Sequence, residues 1–254
     1  MAWLGRMGRS ALARLSLLLA TSAALLSATS AYAVERKLLV ASFENIFVIG
    51  DIDVVVETGK SVSAKATGDR RVLDSLKLER TGNTLRIRVL DLLNSDKKTP
   101  VTEPLRVTLT TQMIQNVILS GNGTVRVNAL SQPESVKILI SGNGKITIGR
   151  ISADQLSSEI DGNGQIDIGG GLVRDSKVTI IGAGQYSGAK LLTRKLRLEH
   201  NGNATSTATV EEGADIFNRG SGNIDIGGKG TCFIKLAGRA AINCAKIDGE
   251  GKNT

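Results

Sequence analysis

From Val117 to Ile226 apolar and polar residues alternate in short runs, and small residues interrupt the alternation at regular intervals. "VILSGNGTVRV", "ILISGNGKITI" and "SEIDGNGQIDI" succeed one another about every twenty residues. Take the first glycine of each break, or its equivalent: Gly121, Gly142, Gly162, Gly182, Gly202 and Gly220. Four positions later stand Val125, Ile146, Ile166, Tyr186, Ser206 and Ile224, and six later Val127, Ile148, Ile168, Gly188, Ala208 and Ile226. Between them lie Arg126, Thr147, Asp167, Ser187, Thr207 and Asp225. Upstream, Leu119, Ile140, Ile160 and Ile180 precede the glycine by two, and Val117, Ile138, Val178, Leu198 and Ile216 by four. A period of two is strand, not helix. A repeat near twenty, with a strand on each side of one recurring corner, predicts an all-β, single-domain parallel β-helix or β-solenoid with coils stacked about 4.8 Å apart.

The corners need residues that bend the chain alike in every coil. Gly121, Gly142 and Gly162, with Gly123, Gly144 and Gly164, supply backbone angles that a Cβ forbids. Asn122, Asn143 and Asn163 would stack as an amide ladder, which Ala183 and Ser221 interrupt. In the fifth and sixth coils the inner columns expect aliphatic residues, yet the chain offers His200, Ser206 and Asn218. Buried polar groups need partners or cost about 1–3 kcal/mol each. A narrower cross-section, a slight rotation of these coils, or a pocket around His200 would each account for them.

The flanks have another texture. Residues 34–98 contain two alternating segments, "NIFVIGDIDVVVETG" and "GNTLRIRVL", a short helix within "DRRVLDSLKLER" and an exposed loop, "LNSDKKTP". They are expected to form a β-rich cap and the first coils, ahead of the repeat solenoid over 99–230. Residues 231–254 read as a second cap, two short strands about a glycine, and a short tail. Both ends of the solenoid are thus expected to be capped, because an open sheet edge invites aggregation. Residues 1–33 combine Arg6, Arg9 and Arg14, an Ala/Leu-rich run and Ala31-Tyr32-Ala33, the three parts of a signal peptide cleaved after Ala33. The apolar run Leu15 to Leu26 is short for a span of about 20 residues. No transmembrane span is expected in the mature chain.

Charge and composition narrow the function. The formal net charge is +8, of which the leader carries three arginines, and the remaining excess is scattered among acids. Beyond the leader the aromatics are Phe43, Phe47, Tyr186, Phe217 and Phe233, too few and too dispersed for a nucleic-acid surface. Cys232 and Cys244, an even pair in an exported chain, are expected to form a disulfide. "EIDGNGQIDIGG" places Glu159, Asp161, Asn163, Gly164 and Asp167 near calcium-loop positions, but Gly170 stands where the bidentate acid belongs. It reads more simply as one repeat with Asp161 in place of serine. No metal site, cofactor or catalytic residue is assigned.

The leader, the opening F-x-N-I-x-V-x-G-D-I-D-V-x-V from Phe43 to Val56, and the repeated S-G-N-G-x-I-x-I together resemble the bacterial putative auto-transporter adhesin, head GIN domain family. The resemblance spans about Leu39 to Cys244. It implies a β-helical or β-solenoid fold at the cell envelope, with no established catalytic residues. The expected role is therefore exported, non-enzymatic and adhesin-like: binding or scaffolding toward an envelope, glycan or protein ligand, in the periplasm or at the cell surface. The alternative is a secreted carbohydrate-active enzyme, a polysaccharide lyase or hydrolase. Against it, the outward Asp167 and Asp225 fall three coils apart, about 14 Å by strand spacing, wider than the roughly 5–9.5 Å of glycosidase carboxyl pairs. The cysteine expectation is checked by thiol titration: protein purified without reductant and then denatured should expose no free thiol.

Overall fold

The computed structural model describes residues 34–90 and 103–248. The leader with Ala31 and Ala33, the "LNSDKKTP" loop and the tail after Asp248 lie outside the described residues. The first part of the chain forms β1 (Val34–Leu38), β2 (Asn45–Ile49), β3 (Asp53–Thr58), β4 (Ser63–Gly68), α1 (Arg70–Ser75), β5 (Leu76–Thr81), β6 (Thr84–Val89) and β7 (Arg106–Thr111). The repeats form β8 (Asn116–Ser120), β9 (Thr124–Ser131), β10 (Ser135–Gly142), β11 (Lys145–Gly162), β12 (Gln165–Ile168), β13 (Gly171–Gly182), β14 (Gln185–Asn218), β15 (Ser221–Leu236) and β16 (Arg239–Ile247). The longer strands run through corners, so one strand serves more than one wall of the coil. The fold is the β-solenoid expected, with one hydrogen-bonded network joining all sixteen strands.

Parallel register aligns the repeats residue on residue. On the wall before the corner, Val48, Leu119, Ile140, Ile160, Ile180 and His200 succeed one another. On the wall after it, Val54, Val125, Ile146, Ile166 and Tyr186 do the same, and Ser206, Ile224 and Ile242 continue that column in the later coils. These side chains are buried along most of their length. Each fully buried Val, Leu or Ile contributes about 1.5–3 kcal/mol, so the interior columns are the main stabilising term. Residues of opposite parity face out.

The glycines at the corners form one column. Gly121, Gly142, Gly162, Gly182 and Gly202 all have φ between +114° and +134°, which other residues rarely adopt. A Cβ on Gly162 would also lie 2.5 Å from the Gly142 carbonyl oxygen beneath it. Gly50 stands below Gly121 and Gly238 above Gly220, so the column extends one coil beyond the repeats at each end. The segment "NIFVIGDIDVVVETG" is therefore itself a coil, with Val54 and Val56 at the fourth and sixth positions after Gly50.

Two irregularities have local causes. The step from Gly202 to Gly220 is two residues short. Thr209 Oγ1 still bonds the carbonyl of Ala189, twenty residues back, at 2.7 Å, whereas Arg194 meets Glu212, eighteen on. The missing residues fall between, after Thr209, and the coil narrows there. In the fourth repeat the bulky Tyr186 fits because Gly188 lacks a side chain: a Cβ there would sit 2.7 Å from the Tyr186 ring.

At the N-terminal end the stacking changes direction. β6 and β7 lie parallel on β2 and β3, but β5 pairs antiparallel with β6, and β4 antiparallel with β7 and β1. α1, the expected short helix, starts at Asp69, whose carboxylate accepts the Arg71 backbone N–H at 2.9 Å. It buries Val72 and Leu73. Beneath this cover Leu85, Ile87, Val107 and Leu109 are 0–1% exposed. At the other end, the two strands expected about a glycine are the end of β15 and β16, successive walls about Gly238, and Arg239–Cys244 lies parallel on Ser221–Ile226 one coil below.

The two parts of the glycine argument separate experimentally. Gly50 has φ +103° but open space where a Cβ would go, so Gly50→Ala should cost only the backbone strain, about 1–3 kcal/mol. Gly162→Ala adds the carbonyl clash and should cost about 1–3 kcal/mol more. Urea unfolding of the two variants measures the difference.

Candidate functional site

The walls carry the surface chemistry, because parity decides what faces solvent. At the corners Asn143 Nδ2 donates to Asn122 Oδ1 and Asn163 Nδ2 to Asn143 Oδ1, each at 3.0 Å. The structure thus brings Asn122, Asn143 and Asn163 together, flanked by Gly123, Gly144 and Gly164. A Cβ on Gly144 would meet the Leu119 side chain at 2.5 Å, and one on Gly164 the Ile140 side chain at 2.6 Å. These residues shape the corner and present amides to solvent.

The outward face after the corner is flat, and its charges are paired. Asp53 binds Arg106 at 2.8 Å and Arg126 at 2.6 Å from the coils on either side. Asp167 is held by Lys145 at 2.6 Å and by Gln165. Asp225 accepts the Asn243 amide at 2.9 Å. Asp167 and Asp225 remain three coils apart in register, each committed to a neighbour. Glu159 and Asp161 belong to the wall before the corner and Asp167 to the wall after it, so the calcium-like string is divided between walls. Among the described residues no three His, Cys, Asp or Glu side chains gather as a metal site would require.

The wall before the corner is different. Lys137, Ser157, Lys177 and Arg197 form one outward column, and Ser135, Gln155, Asp175 and Lys195 the next. They line an open groove of about 430 Å³. Arg197 donates to Glu199 at 2.6 Å and covers the Phe217 ring at 4.6 Å. That hydrogen bond, above all, holds the Glu199 carboxyl below its usual range. Asp175 is engaged by Arg174 at 3.0 Å. The groove therefore keeps an excess of positive charge, with Lys137 and Lys195 outside the ion pairs formed among the described residues. Composition hid this cluster, since its members come from coils up to 60 residues apart in sequence; reading the outward columns by repeat position would have found it. A larger groove of about 660 Å³ lies at the next corner, where the exposed Leu172 meets Arg174 and Arg194.

His200 forms no part of an outward reactive site. Its side chain is 2% exposed, and its Nε2 lies 2.7 Å from Ser206 Oγ. The pair bridges the two inner walls across the Gly202 corner, and Asn218 Nδ2 donates to the Gly220 carbonyl at 2.8 Å. His200 and Ser206 thus satisfy one another and Asn218 a backbone carbonyl, while His200 Nδ1 and Asn218 Oδ1 are buried without a partner among the described residues. Burial lowers the His200 pKa from 6.5 to about 4.

Cys232 and Cys244 form the expected disulfide, with Cα atoms 6.5 Å apart. Cys232 continues the inner column of Ala214, whereas Cys244 follows Ile226. The bond therefore ties one wall of a coil to the neighbouring wall of the coil stacked on it.

A glycine-cornered, single-network β-solenoid with a polar exterior defines a solenoid class of repeat protein. The chain belongs to the family described as putative auto-transporter adhesin, head GIN domain, which matches residues 42–230. Its fold is shared with a putative adhesin from Bacteroides fragilis at 20% identity and TM-score 0.69, over 86% of this chain and 96% of that one. It is also shared with a putative lipid binding protein from Parabacteroides distasonis at 16% identity and TM-score 0.64, over 84% and 97% respectively. A putative adhesin from Parabacteroides merdae is 15% identical, with TM-score 0.59 over 84% and 96%. No functionally curated protein matches the sequence. Among the described residues no helix is long and apolar enough to cross a membrane.

The buried histidine makes acid stability diagnostic. The unfolded chain takes up a proton near pH 6.5 that the folded chain refuses until about pH 4. Stability from this group is complete above 6.5 and falls between 6.5 and 4, by about 3 kcal/mol in all. The double variant His200→Leu/Ser206→Val, which removes both partners, should lose that component of the pH dependence. Denaturant unfolding across this range, compared with the parent, measures it.

Proposed function

We propose that this is an exported, non-enzymatic binding protein of the cell envelope, adhesin-like or scaffolding in role, whose ligand is an acidic glycan or acidic protein surface. The groove on the wall before the corner carries this reading: Lys137, Lys177, Lys195 and Arg197 converge on it, with Asp175 the carboxylate among its lining residues. Rungs about 4.8 Å apart hold these cations on a rigid frame, so an extended anion meets them in fixed positions. Family membership and the disulfide support export, since disulfides persist in oxidising compartments. The leader and its cleavage after Ala33 belong to the same reading. Asp167, Asp225 and His200, the groups a polysaccharide-cleaving enzyme would have to recruit, are paired, separated or buried, which favours binding over turnover.

The experiment is a binding series with matched neutral and acidic polysaccharides, read by calorimetry alongside an assay for chain cleavage. Acidic chains should bind with a salt-dependent affinity and stay intact. Lys137→Glu/Lys195→Glu should weaken that affinity at least about tenfold, equivalent to about 1.4 kcal/mol. Equal affinity for neutral chains, or indifference to the double substitution, would refute the groove as the site. Cleavage abolished by Asp167→Asn or Asp225→Asn would establish the enzyme instead.

A further inference from the structure

The cationic groove has a direction and a period. Its lining residues come from four successive coils in register, so it runs along the stack and across the strands. An extended ligand lying in it meets one coil after another, about 4.8 Å apart. Coil by coil, one outward column reads Lys137, Ser157, Lys177 and Arg197: cation, hydroxyl, cation, cation. The coil of Ser157 lends the groove only Gln155 besides, so its contribution is neutral. Neither of these two side chains is hydrogen-bonded among the described residues. Two residues further along each strand the next outward column reads Leu139, Glu159, Thr179 and Glu199. Glu199 is held by Arg197 at 2.6 Å, with Lys177 at 3.9 Å. Glu159, beside Ser157, forms no ion pair among the described residues.

We propose that this groove takes a linear polysaccharide running along the solenoid axis with a carboxylate on every second sugar. The inference rests on the groove being the acidic-ligand site and adds the spacing of charge in that ligand. Lys137 and Lys177 stand two coils apart in one column, about 9.6 Å by strand spacing. An extended sugar residue is about as long as one coil is high, so acids on alternate sugars fall at these two coils. The second acid also meets Lys195, which lies diagonal to Lys177 on the next coil, within reach of a long side chain. The neutral sugar between the two acids lies over Ser157 and Gln155, whose hydroxyl and amide suit its own hydroxyls. An acid on every sugar would set a carboxylate at that coil, next to Glu159, and such a like-charge contact discriminates against it. An acidic polypeptide fits less well. In an extended chain, side chains recur on one face every two residues, about 6.6–6.8 Å, a spacing that agrees with neither one coil nor two.

Oligosaccharides of equal length supply the test. The full chain is titrated by calorimetry with six-sugar oligomers in about 0.15 M salt, where charges more than about 8 Å apart are largely screened. Hyaluronan and unsulfated chondroitin carry a carboxylate on every second sugar, polygalacturonate one on every sugar, and chitin none. The tighter of the two alternating oligomers should bind at least about tenfold better than hexagalacturonate, despite carrying half its charge. The chitin oligomer should show no measurable binding. Ser157→Lys/Glu159→Gln puts a cation on the neutral coil and removes the acid beside it, so hexagalacturonate should then bind at least as tightly as the alternating oligomers. Both positions face outward, and unchanged far-UV circular dichroism verifies the fold. Equal binding of both acidic kinds by the parent overturns the spacing and leaves the groove an acidic-ligand site. So does a double variant that keeps the parent's preference. If no acidic oligomer binds, the reading of the groove itself fails, and the spacing with it.

Discussion

The structure depends on backbone packed against backbone at the glycine corners. The carbonyl of each corner lies where the next corner's side chain would begin, about 2.2–2.6 Å from the ideal Cβ position between Gly142 and Gly202. No side chain can occupy that space, so each coil must turn at a glycine directly above the one below. Once that column is set, the register of the flanking strands follows, and with it the face on which each residue falls. A slip of one residue would send every interior aliphatic to the surface.

This constraint separates interior from exterior chemistry. Inside, columns of Val, Leu and Ile stack with few interruptions. His200 and Ser206 face each other across the Gly202 corner and bond directly. Outside, identity is free to vary, and two walls use that freedom differently. One neutralises its charges between neighbouring coils, as Asp53 does with Arg106 and Arg126. The other gathers lysines and an arginine around a groove. A rigid frame with a variable exterior suits recognition, which agrees with membership of the adhesin-like family.

A stack of coils cannot end itself, because every coil presents an edge like the one before it. The N-terminal end solves this by switching to antiparallel strands and laying a short helix over the interior. The C-terminal end instead gains cohesion from a covalent link. Cys232 and Cys244 tie the last coil to the one beneath it, where stacking acts from one side only and the constraint on the chain is weakest. A loop of this size is worth about 3 kcal/mol in the chain-entropy account.

The repeat of strand, glycine corner and strand was legible in the chain alone, because parity and period translate directly into inward and outward positions. So were α1, expected within "DRRVLDSLKLER", and the cysteine pair. The corner at Gly50 obeys the same fourth- and sixth-position rule but escaped notice: seventy residues, rather than twenty, separate it from Gly121. The intervening chain makes the antiparallel cover before the next coil begins. What only the tertiary structure decided concerns residues remote in sequence. His200 found Ser206, the lysines of three coils converged on one groove, and the N-terminal end was sealed by an antiparallel cover. Each outcome depends on which coil lies on which and where the coil narrows. A periodic pattern fixes the column each residue joins; the distances between columns emerge only when the walls close around the core.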